Sequence, residues 1–324
     1  DRLSCKFHIP HKVQFAYEHQ TSKQEKTPSN SHPLDIRSQI ESIRVWKRDG
    51  RHAVHKPLLL LIAIKHAVHN KQYRITFSEI EQDLKYLLQK YGLPRTVIHP
   101  EHPFWRLRND GFWIVENANQ LAENSAGDVG RNQLVQKEIR AGFTDEFLDQ
   151  LINGSRYTYK DLVLSLLDQY FPESLHSDIL NDIGIRFLYK SETWKRKRDP
   201  AFREKVLHTY DYKCAVCDYD LRFYNDLLGL EAAHIKWHKS GGPDTEQNGI
   251  ALCTLHHKLL DLGAMAISHT YEILLSNQID GSAETLRNIT RHSDKKINEP
   301  LQRDHLPKAE YLDWHHREVF KHTA

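Results

Sequence analysis

Cys214-Ala-Val-Cys217 and, after 35 intervening residues, Cys253-Thr-Leu-His256-His257 decide how the C-terminal part of this 324-residue chain folds. A gap of two residues lets both ends of a tight knuckle face one cation. Two knuckles supply the four donors of a closed tetrahedral site. Cys214, Cys217, Cys253 and His256 therefore predict a structural zinc site with no position open for chemistry. Only Cys5 lies outside this region, too few for a disulfide scaffold, so the thiols read as reduced and the cytoplasm as the simplest compartment.

Between and beside the knuckles lies a second set: His234 in Glu231-Ala-Ala-His-Ile235, then Asn248, then His257, spaced by 14 and 9 residues. With CAVC, LEAAHI, GG, QNGIALC, TLHH and LLDLG falling in order, residues 205–275 resemble a zinc-stapled HNH nuclease, whose fold is a ββα-metal finger. A phosphodiester is already anionic. Its hydrolysis needs a base to deprotonate water and a divalent cation to stabilise the leaving oxygen. The resemblance makes His234 the general base. It has His257 hold a catalytic Mg, Mn or Co from the finger helix, and Asn248 fix the loop that orients His234. Many relatives carry a metal-ligating carboxylate or histidine just before the base, where this chain has Ala233. Asp261, four residues after His257 on the same helix face, is the substitute candidate. Glu231 is the weaker one, because an odd separation on a strand points it away from His234. His238 is left outside the site.

The net charge of +2 hides a strong pattern. Residues 1–108 carry +9, 109–185 carry −8, 186–213 carry +5 and 214–324 carry −4. Asymmetry of this kind is a physical argument for a polyanion partner, beside the plain reading of solvated charged faces. The longest apolar run, Leu58–Ile64, is far short of the ~20 residues of a membrane helix. No signal peptide is visible, and a start at Asp1 points to a missing true N-terminus.

Upstream of the finger, Pro28, Pro33 and little periodicity predict an irregular arm over 1–34. Periodicity predicts helices over Ile36–Trp46, over the buried run that follows Pro57, and over a stretch opened by a Ser78–Glu81 capping box. Further helices are predicted after Thr144, closed by Gly154, and over Asp161–Phe171, stopped by Pro172. Phe104–Val115, with Asn109-Asp110-Gly111 at its centre, predicts a hairpin.

Here His55-Lys56-Pro57-Leu-Leu-Leu-Leu61, His102-Pro103-Phe104-Trp105-Arg106-Leu107 and Asn109-Asp110-Gly111-Phe-Trp113 resemble the sulfur-binding domain of phosphorothioation-dependent, McrA-type (type IV) restriction endonucleases, over residues 35–150. Sulfur in place of a non-bridging phosphate oxygen is larger and less hydrated. A shallow apolar cavity accepts it at less cost than an oxygen that must shed water. The resemblance makes His102 and Pro103 the wall of that cavity and Arg106 its rim, with His55 or Lys56 on the DNA backbone. Arg95 and Arg108 are generic phosphate contacts.

The fold class expected is mainly α with small β: an α-rich N-terminal DNA-binding domain followed by the ββα-metal finger. The arm over 1–34 precedes a recognition domain over 35–185, a basic linker over 186–205, and the nuclease domain with a helical extension over 206–324. The function expected is a two-domain endonuclease acting on phosphorothioate-modified double-stranded DNA. A homodimer is expected because each chain has one active site. Two rival readings stay open on sequence: an HNH nuclease restricting methylated or hydroxymethylated DNA, and a non-catalytic zinc-containing DNA binder.

Overall fold

The computed structural model describes residues 35–321 apart from 49–50, 95–96, 155–157 and 187–199. The expected arm and most of the expected basic linker lie outside the described residues.

The N-terminal elements are α1 (Ile36–Glu41), β1 (Lys47–Arg48), β2 (Arg51–His52), α2 (His55–His69), β3 (Ile75–Thr76), α3 (Phe77–Tyr91), α4 (Glu101–Arg106), β4 (Trp113–Val115), α5 (Arg131–Gln136), β5 (Arg140–Phe143), α6 (Asp145–Asn153), α7 (Tyr159–Tyr170) and α8 (Glu173–Ile183). A helix that is apolar all round must be enclosed. In α2 every residue from Pro57 to Ile64 is buried, and α3, α4, α7 and α8 pack around it. One three-stranded antiparallel sheet, ordered β3-β5-β4, closes the side of this core.

Three local expectations change. The first helix stops at Glu41, with the Ser42 N–H bonded to the Ser38 and Ile40 carbonyls, and the chain turns into the β1–β2 pair. The capping box sits at Thr76 and Glu79: Glu79 N–H donates to Thr76 Oγ1 at 3.3 Å, and Thr76 N–H donates to Glu79 Oε2 at 2.7 Å. Starting there puts Phe77 on the buried face with Ile80 and Leu84. Phe104–Val115 is not a hairpin. Phe104, Trp105 and Leu107 are all buried, which alternation along a strand cannot achieve, so the segment runs as α4 and one 3₁₀ turn. Gly111, at φ 88°, ends that turn, and β4 pairs with the distant β5.

The C-terminal elements are α9 (Pro200–Thr209), β6 (Arg222–Phe223), β7 (Asp226–Leu227), β8 (Leu230–His234), β9 (Gly249–Cys253), α10 (Thr254–Leu262), β10 (Met265–Ile267), β11 (Ile273–Leu275), α11 (Ala283–Thr290) and α12 (Ala309–Glu318). Residues 200–205, expected as the end of the linker, are the first half of α9, and Phe202 is in the core. β8 and β9 pair antiparallel from Leu230 opposite Cys253 to His234 opposite Gly249, and α10 follows directly. That is the ββα unit. Among the described residues there are two cores, one drawn from Ile36 to Ile185 and the other from Phe202 to Leu312. The structure is mainly α with small antiparallel sheets. Among the described residues no helix is long and apolar enough to cross a membrane.

Candidate functional site

Cys214 and Cys217 follow α9 on a tight turn, Cys253 ends β9, and His256 lies in the first turn of α10. One ligand atom from each falls within 4.8 Å of the others. His256 Nδ1 lies 3.1 Å from Cys253 Sγ and 3.6 Å from Cys214 Sγ, and the Cys217 and Cys253 sulfurs are 4.0 Å apart. With Zn–S near 2.3 Å and Zn–N near 2.0–2.1 Å, a tetrahedron has edges of roughly 3.6–3.8 Å, so the donor set fits zinc. Cys214, Cys253 and His256 are buried and Cys217 is half-buried, and four protein donors fill a tetrahedral site.

His234 stands at the end of β8, its ring stacked on Phe202 with centroids 4.1 Å apart and planes 12° from parallel. This packing needs glycine at 249, where a Cβ would meet Val206 Cγ2 at 2.3 Å. His234 Nε2 lies 2.7 Å from Asp244 Oδ1. An ionised carboxylate only accepts, so the proton between them rides on Nε2 and the ring's lone pair is at Nδ1. Asn248 is fully buried. Its Oδ1 accepts from Lys236 N–H at 2.8 Å, and its Nδ2 donates to the Lys236 and Pro243 carbonyls, each at 3.0 Å. One side chain thus closes the loop that carries both His234 and Asp244. Gly242 completes it: a Cβ there would meet the Lys236 carbonyl at 1.9 Å. The His238 ring lies 5.9 Å from that of His234.

On α10, His257 is held between two carboxylates. Its Nδ1 is 2.6 Å from Glu231 Oε2, and its Nε2 is 3.1 Å from Asp261 Oδ2. Burial pulls the His257 pKa down, but Asp261 and Glu231 outweigh it and push the imidazole up to about 9. The same imidazolium holds Glu231 below its ordinary value. Glu231 does project from the face of β8 opposite His234, and that face is the one α10 covers. Ala233 is buried beside it and offers no donor. Asp261 is 3% exposed. Its Oδ1 accepts from Trp237 Nε1 at 3.1 Å, and its Oδ2 also accepts from Ser174 Oγ on α8.

The N-terminal candidates lie around α2 and α4, and carboxylates hold most of the basic ones. Lys56 is paired with Asp110, whose side chain is 2% exposed, so it anchors the α2 start rather than facing solvent. Arg106 makes a two-pronged bond to Asp128, and Arg108 lies 3.8 Å over the Trp105 ring with Glu123 at 2.6 Å. Pro103 is buried on the core side of α4, which leaves His102 as the accessible part of the expected wall. His55 is the first residue of α2 and half-buried. Arg95 lies outside the described residues.

Residues 33–188 match the family described as ScoMcrA-like, DNA sulfur-binding domain. Residues 214–268 match the HNH endonuclease family. The chain joins a DNA sulfur-binding domain to an HNH endonuclease domain. Among solved structures, the chain is similar to the sulfur-binding domain of ScoMcrA complexed with phosphorothioated DNA, at 26% identity over 47% of this chain and 97% of that one, with a TM-score of 0.40. It is similar to the type IV phosphorothioation-dependent restriction endonuclease ScoMcrA at 25% identity and a TM-score of 0.40, over 47% of this chain and 33% of that one. The sulfur-binding domain of SprMcrA complexed with phosphorothioated DNA matches at 18% identity and a TM-score of 0.36, over 45% and 90%. No curated protein matches at a significant level.

Sequence reasoning missed two neighbours of these sites. Asp244 sits in the HNH domain's Gly241-Gly242-Pro243-Asp244 loop, and the glycine pair was the signal that this loop approaches other backbone. In the sulfur-binding domain His99 stacks on His102 with centroids 4.6 Å apart, and its Nδ1 lies 2.8 Å from Glu101 Oε1. His99 and His102 thus form a stacked imidazole pair at the start of α4, which the sequence His-Pro-Glu-His foreshadows.

Proposed function

We propose that the chain is a modification-dependent endonuclease: the sulfur-binding domain engages phosphorothioated double-stranded DNA and the HNH domain hydrolyses a phosphodiester within reach. The observation that carries this reading is the pairing of the two domains with an ordered His234–Asn248–His257 set.

His234 Nδ1 takes the proton of the attacking water. Asp244 holds the other nitrogen and stabilises the imidazolium that forms, the role a carboxylate plays toward a catalytic histidine generally. Asn248 keeps Asp244 and His234 in one rigid loop. His257 and Asp261 are the groups for a divalent cation, with Glu231 on the opposite nitrogen. Such a cation, when bound, supplies positive charge to the leaving oxygen. In the sulfur-binding domain His102, which burial keeps towards the neutral form, is the accessible part of a poorly hydrated wall suited to sulfur, with His99 stacked on it and Pro103 packed behind it in the core. Arg106 sits at the rim with its other face on Asp128, and His55 and Arg95 remain the backbone contacts. Each chain has one HNH site, so cutting both strands calls for a homodimer or two bound molecules. The reduced thiols suit the cytoplasm.

The test is cleavage of matched plasmids with and without phosphorothioate in Mg²⁺, Mn²⁺ and Co²⁺. Cutting confined to the modified plasmid is expected. Equal cutting of both refutes the sulfur reading, and no cutting in any metal refutes the nuclease reading. His234→Ala is expected to lower the rate by roughly 10²–10⁴-fold.

A further inference from the structure

Asp261 lies four residues from His257 on the finger helix, yet it is 3% exposed. Part of its cover comes from its own domain, through Trp237, and part from the other domain. Ser174 Oγ, on α8 of the sulfur-binding domain, donates to Asp261 Oδ2, the oxygen that faces His257 Nε2 at 3.1 Å. Lys258, also on α10, donates to the Ser174 carbonyl and pairs with Asp178 at 2.9 Å. Leu262, at the end of α10, packs on the sulfur-binding domain's core rather than on its own. Beyond α12, Lys321 donates to the Lys90 carbonyl. The cavity at this seam is lined from one side by Lys90, Tyr170 and Leu175 and from the other by Trp237, Asp261 and Trp314.

A catalytic divalent ion needs more than two donors. Mg²⁺ keeps several waters at 2.0–2.1 Å and must still admit a substrate phosphate. With a serine hydroxyl and His257 on Oδ2 and an indole N–H on Oδ1, most of the acceptor capacity of Asp261 is already used. His257 Nε2 and Asp261 Oδ2 face each other at 3.1 Å, so a cation held by both has to displace that contact. Many of the contacts that close this seam are polar. The Lys258–Asp178 pair is about one-third exposed, and water screens such pairs strongly, so the closure is light enough to reverse.

We propose that α8 is an autoinhibitory cap: it covers the His257–Asp261 cation pocket in the DNA-free chain and must move off before the nuclease takes up its ion. This rests on the reading of His257 and Asp261 as the cation site. Coupling the cap to the recognition domain ties loading of the nuclease to that domain's own movement, and restrains cutting of DNA it does not hold.

The experiment is Mn²⁺ binding to the DNA-free full chain, followed by electron paramagnetic resonance and calorimetry, with zinc content as the check on folding. Ser174→Ala/Asp178→Ala is expected to bind Mn²⁺ roughly tenfold more tightly than wild type, the scale of one lost hydrogen bond to a charged group. The same variant is expected to nick unmodified plasmid faster. Asp178→Lys should open the cap by repelling Lys258, and Asp178→Lys/Lys258→Glu should restore wild-type affinity. Unchanged Mn²⁺ affinity in the opened variants, with binding abolished by His257→Ala, overturns the cap and leaves the cation site standing. Binding that survives His257→Ala overturns the cation site, and the cap with it.

Discussion

Replacing Asp244 by Asn isolates what one carboxylate does for the proposed base. The substitution keeps the shape of the side chain and removes its charge. Asp244 Oδ1 lies 2.7 Å from His234 Nε2, with side-chain exposures of 23% and 12%. Two unit charges about 4 Å apart at an effective dielectric near 20 attract by about 4 kcal/mol. This partly open site screens some of that, and hydrogen bonds to charged groups are worth about 1.5–3 kcal/mol net. At about 1.36 kcal/mol per tenfold, the single-turnover cleavage rate is expected to fall roughly 10- to 160-fold. The amide can also donate through its NH₂ group, which would leave the proton on Nδ1 and remove the base's lone pair, so Asn is expected to be at least as damaging as Ala. The assay is single-turnover cleavage of modified duplex at saturating enzyme, beside a binding titration and a zinc determination. DNA affinity and zinc content should stay at wild-type values. A rate within twofold of wild type would show that Asp244 does not act through His234.

Asn248→Ala leaves the Lys236 N–H and the Lys236 and Pro243 carbonyls without their buried partner, and should lower stability by about 2–4 kcal/mol in urea unfolding as well as abolishing cleavage. Removing zinc with a strong chelator should eliminate one unfolding transition, that of the finger core, while the separate core from Ile36 to Ile185 keeps its own; loss of both at once would contradict the two-core organisation. Lys56→Ala breaks a pair whose acid is almost wholly enclosed, so it should lower the melting temperature and leave the salt slope of DNA binding unchanged; a slope reduced by about one would return Lys56 to the phosphate contacts. The Arg106 hydrogen bond holds the Asp128 carboxyl below its ordinary value. The unfolded chain therefore binds the proton first. This stabilisation is complete above the ordinary carboxylate range and disappears as pH falls through the folded value, a loss at acid pH that Asp128→Asn should abolish.

Sequence could show the finger and several helix starts because their constraints are local or periodic. A two-residue gap between donors survives any arrangement of the chain between the knuckles, and Thr144 caps α6 from a position adjacent to it, accepting from Phe147 N–H at 3.3 Å. Phe104–Val115 misled because aromatic residues flanking Asn-Asp-Gly satisfy a strand pattern as well as a buried helical turn, and only the enclosure of Phe104, Trp105 and Leu107 together separates the two. The same limit applied to charge. Lys56, Arg106 and Arg108 read as free cations in a basic block, but Asp110, Asp128 and Glu123, 54, 22 and 15 residues away, neutralise them in space. All three acids belong to the block of −8 that follows, so part of the charge asymmetry that suggested a polyanion partner is internal pairing across the fold. The electrostatic case for DNA then rests less on the summed charge than on which cations the carboxylates leave facing outward. In the finger the logic runs the other way. Glu231 points away from His234, as strand alternation requires, and by that same alternation it reaches His257. Period alone gives the face of a strand, whereas the helix packed on that face decides what the side chain does.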